Sequence, residues 1–156
     1  MQVIEQLKKM DDERFLTIYE ALEQQGFGPL DNEVAKAMKF RPHAIRKVPM
    51  NQRARRAKRL LEGAANAEMC YEIFGSYLIK EHKELVTGFL DLTGVEHEEG
   101  MIQNTEEVMP AGDKVADAVK ELDGKFDGSD VTLYLSICAE QWPQVAELQE
   151  LWATRA

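Results

Sequence analysis

The helical spacing of apolar residues is the feature that most constrains how this chain can fold. Between the Asp11-Asp12 pair, which can cap a helix, and Gly26, which can end one, the apolar positions recur every three or four residues. The same spacing returns in later segments, most of which Gly or Pro separates. With 156 residues the chain can bury a sizeable core. We therefore predict an all-α fold in a single globular domain, residues 1–156, with about seven to nine helices packed on one another.

Helix boundaries in the first half follow from Gly, Pro and Asp positions. Residues 27–30 are predicted to form a turn, after which Asp31 caps a short helix that ends near Phe40. The Arg41-Pro42 step stops that helix because the residue before proline avoids helical angles. Two further helices are expected at 50–61 and 66–80. The second carries two adjacent apolar stripes, which predicts packing on more than one side.

Residues 131–138 are compatible with two structures. Every second residue from 131 to 137 is apolar, as in a strand, but Val131, Leu135 and Cys138 also share one helical face. A strand needs a partner, and no second segment of comparable quality is present. We therefore favour a helix capped by Ser129 or Asp130, followed by a last helix that starts at Pro143.

The distribution of charge is uneven along the chain. Residues 34–61 contain no Asp or Glu but hold ten of the nineteen Lys and Arg residues. The formal net charge is −9, so the remaining residues carry −19. Such a window is the place where a charged partner is expected to bind.

Within this window, the predicted helix 50–61 has a narrow apolar stripe formed by Met50, Ala54, Ala57 and Leu61. Its five cations spread over the remaining arc, so we expect all five to face solvent. Together with the connector before the helix, they form the predicted binding segment 41–59. The candidate binding residues are Arg46, Lys47, Arg53, Arg55, Arg56 and Arg59.

Several functions remain open for this segment. We expect a non-enzymatic interaction or adaptor protein that binds an acidic protein surface, including that of a second copy of the chain as a homo-oligomer. The alternative is a small nucleic-acid-binding protein that contacts phosphates without reading sequence. Base stacking has little support, since Phe40 is the only aromatic residue in the window. A solvated basic face, balanced by acidic faces of the same fold, needs no partner.

The sequence predicts no catalytic residues, no metal site and no cofactor. His97 lies between Glu96 and Glu98, but adjacent residues rarely converge on one ion. An enzyme remains a further alternative because catalytic groups converge in space and need not form a motif. We expect a cytoplasmic location without membrane insertion, because residues 1–9 lack a hydrophobic signal core and no apolar run reaches about 20 residues.

Residues 92–95, Leu-Thr-Gly-Val, resemble the turn of the helix-turn-helix family. The next five residues, where that family has its reading helix, include Glu96, Glu98 and Glu99. A recognition helix must enter an electronegative groove, so these carboxylates argue against DNA reading. The sequence predicts a helix end at this point, followed by an acidic loop over residues 95–109.

Overall fold

The computed structural model describes residues 2–26, 28–37, 39 and 42–155. These ranges contain nine α-helices and no β-strand, which confirms the predicted all-α fold. Short 3₁₀ segments span Pro42–Lys47 and Ala64–Asn66. The helices are α1 (Gln2–Lys9), α2 (Asp12–Gln24), α3 (Gly28–Ala37), α4 (Met50–Leu61), α5 (Ala67–Glu81), α6 (Lys83–Leu92), α7 (Gly112–Lys125), α8 (Gly128–Gln141) and α9 (Ala146–Arg155).

Local signals place several helix ends correctly. Asp11 caps α2, because its carboxylate accepts the backbone N–H of Arg14 at 2.7 Å. Gly26 follows that helix with a φ of +74°, a conformation that glycine adopts at no steric cost. α4 has the predicted bounds, and residues 131–138 are helical within α8.

Three predicted helix starts are wrong. α3 begins at Gly28, before Asp31, because proline in the first turn suits a helix start; Asp31 instead accepts the Tyr19 hydroxyl from α2. Asp127 caps α8, with its carboxylate accepting the N–H of Ser129 at 2.8 Å. α9 begins three residues after Pro143, at Ala146. The predicted α3 end near Phe40 and Arg41 lies outside the described residues.

α5 is the central helix of the core. It packs against α1, α2, α4, α6 and α8, as its two apolar stripes predict. Cys70, Ile73 and Phe74 are fully buried on it. The indole of Trp142, at the end of α8, is also fully buried and donates its N–H to the Val108 carbonyl at 3.0 Å. This bond ties the segment between α6 and α7 to the core.

Residues 93–111, between α6 and α7, form no helix. Gly94 has a φ of +75°, and the N–H of Val95 bonds the Leu90 carbonyl at 2.8 Å, which ends α6. A bond from the Ala111 N–H to the Thr93 carbonyl, at 2.9 Å, holds the two ends of the segment together. No helix starts directly after the Leu-Thr-Gly-Val turn, since the next one begins at Gly112, so the helix-turn-helix resemblance ends there.

Within the described ranges, none of the helices combines the length and apolar character needed to cross a membrane.

Candidate functional site: the basic face of α4

α4 presents two opposite faces. Ala54, Ala57 and Leu61 are buried where the helix packs against α2, α3 and α5. On the opposite side three arginines are exposed within an arc of about 100°, given 3.6 residues per helical turn. We call this arc, formed by Arg55, Arg56 and Arg59, the basic face.

Arg53 does not face solvent, contrary to the prediction. Its side chain is only 7% exposed and forms an ion pair with Glu23 of α2. One guanidinium nitrogen also contacts the Met50 sulfur at 3.6 Å. Arg53 lies at the edge of the narrow apolar stripe, where the neighbouring helix covers it, so it is unavailable to an outside partner.

Lys58 is also engaged within the fold. Its ammonium lies 2.6 Å from the Glu62 carboxylate, one turn further along the chain, and its side chain is 12% exposed. The expectation that all five α4 cations face solvent is therefore wrong for two of them. The physical reason is the same for both, because each finds a carboxylate within reach of a long, flexible side chain.

Arg46 and Lys47 lie on the 3₁₀ segment before α4 and are exposed. Buried Ile45 anchors this segment, which packs against α3. These two cations therefore precede the basic face in sequence and lie on a different element, which packs against α3. The candidate binding residues therefore fall into two groups, one on α4 and one on this 3₁₀ segment.

The basic face has little internal charge compensation. Arg55 lies 3.9 Å from Asp12, but the two side chains are 63% and 68% exposed, a geometry that contributes little. No carboxylate of the described residues lies within ion-pair distance of Arg56 or Arg59. Arg59 is three and four residues from the other two arginines, and like charges at these spacings destabilise a helix by a few tenths of a kcal/mol per pair. The fold by itself gains nothing from this grouping.

The chemistry available at this face is recognition of anions. A guanidinium presents five N–H donors in a planar fork that matches a carboxylate or phosphate, and exposed Gln52 adds an amide on the same side of the helix. No group of three or more metal-ligating side chains comes together in the described part of the chain.

The two cysteines are poorly suited to nucleophilic chemistry. Burial raises the pKa of both the Cys70 and the Cys138 thiol to about 12. The thiolate is the reactive form of cysteine, so these side chains act as small apolar groups of the core.

Glu23 is the functional neighbour that sequence reasoning missed. It removes Arg53 from the candidate set, yet the two residues are 30 positions apart and no sequence motif links them. Only the contact between α2 and α4 brings them together.

Comparisons of the chain with protein-family models, with curated proteins and with solved structures found no match.

Proposed function

We propose that this protein is a non-enzymatic interaction protein that binds an acidic segment of a polypeptide through Arg55, Arg56 and Arg59. Arg46 and Lys47, on the 3₁₀ segment before α4, would add positive charge to the interaction. The observation that carries the proposal is the grouping of three exposed guanidinium groups that the fold leaves almost uncompensated. We expect the protein to act in the cytoplasm, where its two unpaired, buried cysteines stay reduced.

An acidic protein segment fits this face better than nucleic acid does. The net charge of −9 opposes long-range attraction of either kind of polyanion, so binding has to rely on short-range pairs. Three phosphate contacts give little affinity at physiological salt, because nucleic-acid binding grows with the number of phosphates neutralised. A carboxylate forms the same two parallel hydrogen bonds with arginine as a phosphate does, and a short acidic segment can pair with the three guanidinium groups without many further contacts.

A second copy of the chain is one possible source of such a segment. The loop between α6 and α7 exposes five glutamates that a basic face could contact. They are Glu96, Glu98, Glu99, Glu106 and Glu107.

The experiment compares two triple variants of equal charge. Arg55→Gln, Arg56→Gln and Arg59→Gln remove the basic face; Lys9→Gln, Lys114→Gln and Lys120→Gln remove three exposed lysines elsewhere on the surface. The first probe is a fluorescent ten-residue polyglutamate peptide followed by anisotropy. The arginine variant should bind at least about tenfold more weakly than wild type, a loss of about 1.4 kcal/mol. The lysine variant should bind like wild type.

Two further measurements separate the kinds of partner. Light scattering reports a mass above 17.8 kDa for self-association, which the arginine variant should reduce if the basic face contacts a second copy. Duplex DNA should bind more weakly than the peptide. Equal loss of peptide binding in both variants, or a preference for duplex with a salt slope of about −2.7 for three contacts, would overturn the proposal.

A further inference from the structure

A cavity of about 500 Å³ lies between α5, α8 and the segment 93–111. Its inner wall is apolar and buried, with Leu78, Val86 and Ile137 among its lining residues. Glu72 and Lys80 are exposed at its mouth. The volume falls within the roughly 300–1,000 Å³ range of small-molecule sites, and the lining has the apolar character usual for them.

Gly75 keeps this cavity open. It lies inside α5 and lines the cavity, and a Cβ at this position would meet no atom within 4 Å outside its own helix. Its backbone needs no positive φ, and no neighbour demands a close approach. Glycine in a helix interior costs about 1 kcal/mol relative to alanine. The sequence therefore gives up helix stability at the position where a side chain would occupy the cavity.

The opposite wall is a turn that is held in place. Glu98 and Met101 exchange two backbone hydrogen bonds of 2.8 and 2.9 Å, with Glu99 and Gly100 between them at φ values of +53° and +90°. His97 fixes the turn, because its Nδ1 accepts the Gly100 N–H at 3.0 Å.

The same imidazole bonds Asp91 of α6 through Nε2, at 2.7 Å. These contacts place Gly100 against Val86, where a Cβ would come within 3.3 Å of its Cγ1. Hydrogen-bonded structure therefore bounds the cavity on the side of the turn as well as on the side of the helices.

One end of the cavity carries a polar pair. Tyr71 donates its hydroxyl hydrogen to Gln141 Oε1 at 3.2 Å. Burial raises the pKa of Tyr71 to about 12, so the phenol stays neutral. Its oxygen can still accept a hydrogen bond, and the Gln141 amide can still donate one. The two charges at the mouth, Glu72 and Lys80, have opposite signs and favour no net ligand charge.

We propose that this cavity binds an uncharged, elongated apolar molecule whose single hydroxyl group meets Tyr71 and Gln141, as in a medium-chain fatty alcohol. The lining positions on α5 run from Tyr71 to Lys80, about 13 Å at 1.5 Å per residue. A fully extended ten-carbon alcohol is about 12.5 Å long, because each bond of about 1.5 Å advances about 1.25 Å along the zigzag chain. The site is separate from the basic face and independent of it.

The test uses three ten-carbon probes that differ only in the head group: decan-1-ol, decanoate and decyltrimethylammonium. Each competes with the neutral fluorophore 1-aminoanthracene for wild-type protein below the micelle concentration. Decan-1-ol should displace the fluorophore at a concentration at least tenfold lower than the two ions require. Tighter binding of either ion, or failure of decan-1-ol to displace the fluorophore, overturns the proposed ligand class.

Filling the cavity provides the matched variant test. Gly75→Leu should weaken decan-1-ol binding at least tenfold. Gly124→Leu is its control, because Gly124 is also helical with no atom within 4 Å of its Cβ position; it should leave binding within twofold of wild type. Unchanged binding in Gly75→Leu would overturn the site.

If Gly75→Leu does not fold, an NMR titration of the wild-type protein tests the location of the site instead. On addition of decan-1-ol to wild-type protein, the backbone amide shifts should concentrate at Gly75, Gly100 and Gln141. Shifts concentrated elsewhere would overturn the site. Tyr71→Phe should reduce the preference for the alcohol over decane, a change that loss of cavity volume alone does not produce.

Discussion

Removing Glu23 should destabilise the fold much more than removing Arg53, although the two side chains form one ion pair. Arg53 is 7% exposed and cannot reach water, whereas Glu23 is 26% exposed and can. Glu23→Ala leaves a buried guanidinium whose Nε already lacks a hydrogen-bond partner among the described residues. Arg53→Met leaves a carboxylate that can turn to solvent, with an apolar chain of similar length in place of the arginine.

The size of the effect follows from this burial. Breaking a fully buried ion pair costs about 3–5 kcal/mol, and a surface pair is worth about 0–1 kcal/mol. The partial exposure of Glu23 places Glu23→Ala between these limits, at about 2–3 kcal/mol. For a domain of this length that corresponds to a fall in Tm of roughly 4–12 °C. Arg53→Met should stay within about 1 kcal/mol of wild type, since an apolar replacement of a buried charge is often neutral.

Urea denaturation followed by circular dichroism measures both free energies of unfolding. Glu20→Ala, an exposed glutamate on the same helix, is the control and should change stability by less than about 0.5 kcal/mol. A larger loss for Arg53→Met than for Glu23→Ala would refute the reasoning. Arg53→Met should also leave polyglutamate binding unchanged, because Arg53 does not belong to the basic face.

Two further predictions concern the end of α9 and the cavity turn. Arg155 donates hydrogen bonds of 2.7 and 2.8 Å to Asp123 and thereby lowers the pKa of this carboxyl group. The pair therefore stabilises the fold fully above the unfolded pKa of about 4, and this stabilisation is lost as the pH falls through the lower folded pKa. Asp123→Asn should therefore cost under about 1 kcal/mol at pH 7, given the partial exposure of the pair. The difference from wild type in denaturation should shrink progressively as the pH falls below the unfolded pKa of about 4. His97→Ala should speed hydrogen exchange of the Gly100 amide, whereas His97→Asn, whose Oδ1 can accept the same bond, should preserve its protection; equal exchange in both variants would contradict the role given to Nδ1.

Helix positions were the most predictable part of this structure. α4 occupies residues 50–61 as expected, because Pro49 precedes it and its apolar residues repeat at helical spacing. The starts of α3, α8 and α9 were less predictable. Several residues near each start can cap a helix, and tertiary partners such as the Tyr19 hydroxyl decide how an Asp is used.

The candidate site was predictable only in part. Charge density predicted which residues form the candidate site, and five of the six are exposed as expected. Arg53 was wrongly predicted to face solvent, because a helical wheel gives the direction of its side chain but not how far the neighbouring helix extends over it. The cavity could not be located from sequence either, although Gly75 inside an apolar helix was a local signal of missing volume.

The sequence by itself determined the all-α class, the position of α4 and the concentration of cations around it. These properties depend on residues three or four positions apart, which lie on the same face of a helix independently of its tertiary contacts. Tertiary structure alone decided which cations reach solvent and where a cavity remains. Such outcomes depend on pairs as distant as Glu23 and Arg53, or Tyr71 and Gln141, whose meeting requires particular helices to pack together.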